Sequence, residues 1–193
     1  MDWPRPNERL FVSGADWEHN ACINCYSESF TGYAWYYKTA ADELVRSAME
    51  NRGILDVIIN PIGFLYRQYV ELALKEIVVL CNRLEQHSVP APLHHNLNSL
   101  WSEAKRLLSA QYGANVPAEI RHLDQVVDEF SRFDPTSVAF RYPWDKNGRP
   151  SLQGLSHINV RNLYETMERV ASFLDCMATD LDQRRLSAHF DSQ

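Results

Sequence analysis

"FLYRQYVELALKEIV", residues 64–78, decides how this chain is read. Leu65, Tyr66, Tyr69, Val70, Leu72, Ala73, Leu74, Ile77 and Val78 occupy most of the angles of a helix with apolar side chains. Yet Arg67, Glu71 and Lys75 recur at i, i+4 and i+8 and therefore share one face. Glu71 precedes Lys75 by four residues, the favourable order for a helix-surface pair. Such pairs contribute roughly 0.2–0.5 kcal/mol each when exposed. The pattern predicts a solvated salt-bridge ladder, since surface ladders are common and weak. The alternative is that a narrow polar stripe on a largely buried helix is one wall of a groove.

Working outward, the periodicity predicts four more helices. One spans about 30–51, with Tyr33, Tyr37, Ala40, Ala41, Leu44, Ala48 and Met49 at helical spacing. The helix holding the stripe is expected from about 62 to 86, after a buried apolar linker and a break at Asn60-Pro61. A third follows at about 95–110. A fourth opens near Pro117, a good first-turn residue, and ends by Asp134-Pro135. Residues 158–183 repeat Val160, Leu163, Met167, Val170, Leu174, Met177 and Leu181, close to a heptad seam. Five helices with short connections make an all-α bundle. Before the last helix, "SVAFRYPWDKNGRPSLQG" reads as irregular or as a short hairpin turning at Asn147-Gly148. Residues 1–29 form an N-terminal arm whose Trp3, Phe11 and Trp17 are expected to pack on something. Residues 30–185 form the helical domain, and 186–193 a polar, frayed tail.

The totals agree with one compact domain of 193 residues. Glycine is scarce, at 7, which favours helices over a turn-rich β fold. A net charge of −6 and a pI near 5.6 argue against generic grip on nucleic acid. No apolar run is long enough to cross a membrane, and the start lacks the pattern of a secretory signal. The expected compartment is cytoplasmic. Cys22 and Cys25 make one C-x-x-C pair with His19 nearby, but no fourth zinc ligand stands out. Ordinary reduced thiols are expected, with no metal and no cofactor.

Three pieces in order carry a family resemblance. "FLYRQYVELALKEIVVL" is a helix of the type "YEQAVELALKALL"; "HHNLNSLW" opens the next helix in the manner of "HDLxxL"; "FRYP" comes later. Over about residues 62–185 the chain resembles the HEPN superfamily of small all-α bundles. That resemblance implies one of two functions. Many HEPN proteins are metal-independent ribonucleases of toxin–antitoxin and antiphage systems, with Arg, four to six residues, then His, paired across a dimer. There the RNA 2'-hydroxyl attacks its own phosphate, a histidine moves protons near neutral pH, and an arginine holds the developing charge. Others would be silent modules that assemble with a second copy or a protein partner.

The chain departs from the catalytic pattern. Its one Arg-x4-His match, Arg184 to His189, lies in the tail, and Arg149 and His157 are separated by seven residues. The implied function is therefore self-association or partner binding in a prokaryotic defence or toxin–antitoxin setting. A non-standard RNA-cleaving site remains the alternative. Its catalytic candidates are His95, at the start of the third helix, Arg141, held by the following Tyr142-Pro143, and His157, at the start of the last helix. Arg67, Glu71, Tyr142 and Arg149 are the binding candidates. Each also has a plain structural reading: a cap, a packed side chain, a solvated turn.

Overall fold

The computed structural model describes residues 3, 6–23, 29–85, 90–115 and 117–190. Five helices carry the fold: α1 (Phe30–Glu50), α2 (Leu55–Leu84), α3 (Leu97–Tyr112), α4 (Ile120–Phe133) and α5 (Val160–Phe190). Among the described residues there is no strand, and none of the helices is long and apolar enough to cross a membrane. The all-α bundle expected from the sequence is the observed architecture.

The helix starts follow from side-chain chemistry. Ser29 accepts from the Gly32 amide at 3.3 Å, and Asn96 from Ser99 at 2.9 Å. Asn159 accepts from Asn162 at 3.0 Å. Each satisfies a backbone donor that the first turn leaves without a partner. Neither His95 nor His157 is the cap of its helix; the asparagine one or two residues further on takes that place.

α2 is the axle, with α1, α5 and α3 all packed against it. From Ile62 to Asn82 almost every side chain is buried. Ile62, Tyr66, Val70, Leu74 and Ile77 are fully enclosed, and each contributes about 1.5–3 kcal/mol by leaving water. Polar ties register the neighbours. The Tyr66 hydroxyl donates to Asp42 of α1 at 2.8 Å, and Lys38 of α1 bonds both Asp42 and Glu168 of α5. Burial pushes the Tyr66 hydroxyl pKa up, so it stays a donor. On the far side, Trp101 and Lys105 of α3 hold Asp124 of α4. α4 rests on α3 rather than on α5.

Several expected boundaries move. α2 begins at Leu55 and runs through Asn60-Pro61 without a break. Pro61 lies in the second turn with its ring exposed, so it removes one hydrogen bond and collides with nothing in the core. The apolar linker is thus the first turns of α2, half-buried, with Val57 exposed. α5 continues to Phe190 through the expected tail, supported by the Arg184–Asp180 and Arg185–Asp182 pairs. Among the described residues of the arm, Trp3, Leu10, Phe11, Val12, Trp17 and Ile23 are all exposed, so the aromatics expected to pack are not buried. Between α4 and α5 the chain is irregular, with a tight turn closed by one isolated bridge rather than a pair of strands. Trp144 pairs with Pro150, the Asp145 carbonyl accepts from Gly148, and Gly148 takes φ 75°. A positive φ there is what a glycine supplies without strain.

Phe140 lies directly over Gly63 of α2. A Cβ built on Gly63 would meet the ring at 2.4, 2.6 and 2.8 Å. Overpacking of this kind costs about 1–3 kcal/mol. Gly63→Ala is expected to lower the thermal midpoint. In a Phe140→Leu background the same change should cost clearly less, and equal losses in the two backgrounds would show that the ring is not what occupies the space.

Candidate functional site

The charged stripe of α2 is inside the protein. Arg67, Glu71 and Lys75 are 0%, 1% and 5% exposed, so the solvated ladder expected from spacing is overturned. Burial of a guanidinium demands a partner for each donor. Each of the three nitrogens of Arg67 finds one. Nε donates to the Asp134 carbonyl at 3.1 Å, Nη1 to Glu71 Oε2 at 2.7 Å, and Nη2 to the His95 carbonyl at 2.7 Å. One side chain thereby ties α2 to the strap before α3 and to the C-terminus of α4.

Glu71 is equally committed. Its Oε1 accepts from Lys75 Nζ at 2.9 Å and meets His95 Nδ1 at 2.7 Å. Burial pushes the Glu71 carboxyl up, but the hydrogen bonds from Arg67, Lys75 and His95 outweigh it and hold the pKa below the ordinary 4.5. An ionised carboxylate only accepts, so Nδ1 of His95 carries the proton. That leaves Nε2 without the proton, on a ring that is 62% exposed. Asp134 balances the second cation. Its Oδ1 accepts from the Val138 and Ala139 amides at 2.6 and 2.9 Å. Its Oδ2 lies 3.6 Å from Arg67 Nε, beyond hydrogen-bond reach, and is buried without a hydrogen-bond partner.

The structure thus brings Arg67, Glu71 and His95 together, and adds Lys75 and Asp134. The remaining sequence candidates lie elsewhere. Arg141 donates from Nε to the Ser137 carbonyl at 2.7 Å and lies over the rings of Phe64 and Tyr142. It makes no bond to His95, Glu71 or Arg67. Tyr142 is exposed. Arg149 is exposed and closes the turn on Asp145, its two side-chain contacts both at 2.8 Å and its backbone amide donating to Asp145 Oδ1 at 2.9 Å. His157 is exposed, touches Ser156, and belongs to the approach to α5. Asp134 was missed as a site residue because Asp-Pro reads as a helix end. The available signal was charge balance, since two cations on a buried stripe need a second carboxylate.

A separate depression of about 890 Å³ runs between α4 and α5. Leu123, Val126 and Phe133 of α4, Leu163 and Phe173 of α5, and Phe140 are among the residues that line it. His157 lines this groove and also a smaller one of about 560 Å³ beside α1 and α2. Among the described residues, the grouping with metal-ligand geometry is Asp16, Glu18 and His19, all exposed in the arm. His19 Nδ1 is spent on Asp16 at 2.8 Å. Cys22 is an exposed free thiol, and Cys25 lies outside the described residues. Cys81 is buried in α2, which pushes its thiol up to about 12 and leaves it inert. The chain matches no protein-family model, no curated protein and no solved structure.

Two outcomes follow from the network. Arg67→Ala leaves the buried Asp134 without its cation and takes one of three partners from Glu71, and is expected to cost about 3–5 kcal/mol, read as the shift in urea midpoint at neutral pH. For Glu71 the folded pKa is depressed, so its stabilisation is complete above the unfolded value of 4.5 and is lost as pH falls through the lower folded value. Glu71→Gln should be destabilised at neutral pH and lose that component of the acid limb. A variant whose pH–stability curve parallels the parent's would remove Glu71 from the acid response.

Proposed function

We propose that this chain is a HEPN-like helical module that works by contact, through self-association or a protein partner, without the standard HEPN catalytic motif. A prokaryotic defence or toxin–antitoxin setting is part of the proposal and comes from the resemblance of the α2, α3 and "FRYP" segments. One observation carries the reading as a contact module. The arginine beside the exposed histidine, Arg67, is buried, and each of its three nitrogens already donates to the fold, so it is not placed to meet a phosphate at the surface. Arg141 and His157, the other catalytic candidates, do not meet His95. The polar stripe is a structural device, and the surface left for function is apolar: the α4–α5 groove and the exposed arm.

A second reading has its own support. Glu71 holds Nδ1 of the largely exposed His95 ring, the arrangement in which a carboxylate fixes a histidine that moves protons. A metal-independent ribonuclease with a non-standard Arg/His site would use His95 in that way, with Arg141 as the phosphate contact.

The readings separate in one assay. End-labelled total RNA is incubated with the purified protein in EDTA, beside a His95→Ala, Arg141→Ala double variant. The contact module predicts intact RNA in both lanes. Cleavage by the parent that disappears in the variant would replace it with the ribonuclease.

A further inference from the structure

We draw no further inference here: the strongest candidate, the open groove between α4 and α5, carries none because nothing in the structure shows what covers it.

Discussion

A guanidinium at the centre of an apolar bundle has to be answered on every side, and the rest of this structure is arranged around that demand. Arg67 is buried, yet its hydrogen bonds reach a carboxylate on its own helix and carbonyls on two other segments. Taking such a charge out of water costs several kcal/mol, recovered only through good geometry and complete pairing. The set here is close to neutral: Arg67 and Lys75 face Glu71 and Asp134. The one loose end is Asp134 Oδ2. The network therefore links α2 to two segments that would otherwise be held by weak loop packing.

The same network distinguishes registers that apolar packing does not. α2 is apolar on most of its circumference, so a slip of one turn would still set aliphatic and aromatic side chains against α1, α3 and α5. That slip would carry Arg67 about 5.4 Å along the axis, away from the His95 and Asp134 carbonyls together. Gly63 acts in the same sense, because only a residue without Cβ fits under the Phe140 ring. Polar pairing and steric exclusion select one alignment out of several that hydrophobic burial alone would tolerate.

This explains what was legible in the sequence. Periodicity in 30–51 and 158–183 gave α1 and most of α5, because amphipathic spacing reports a buried face directly. The spacing of Arg67, Glu71 and Lys75 gave their shared face but not its direction, since an i, i+4 ladder looks the same in water and in a core. The apolar residues at nearly every other angle were the clue that no face was left for solvent. Pro61 misled because its penalty depends on tertiary surroundings; in an exposed early turn it amounts to one lost hydrogen bond. Asp134 was invisible as a partner of Arg67 because 67 residues separate them.

The division of labour between inside and outside bears on function. A catalytic arginine has to leave some donors open for the charge that develops in the reaction. Arg67 is buried with each of its nitrogens bonded to the fold, and Arg141 stacks on Phe64 and Tyr142 at a turn that does not touch His95. Chemistry at His95 would need a cation from outside the buried network. Contact needs only what the chain already presents, an apolar groove and an apolar arm left bare beside a core whose charges are almost entirely paired. The buried polar residues serve the fold, and the groove and the arm are apolar surfaces outside the core.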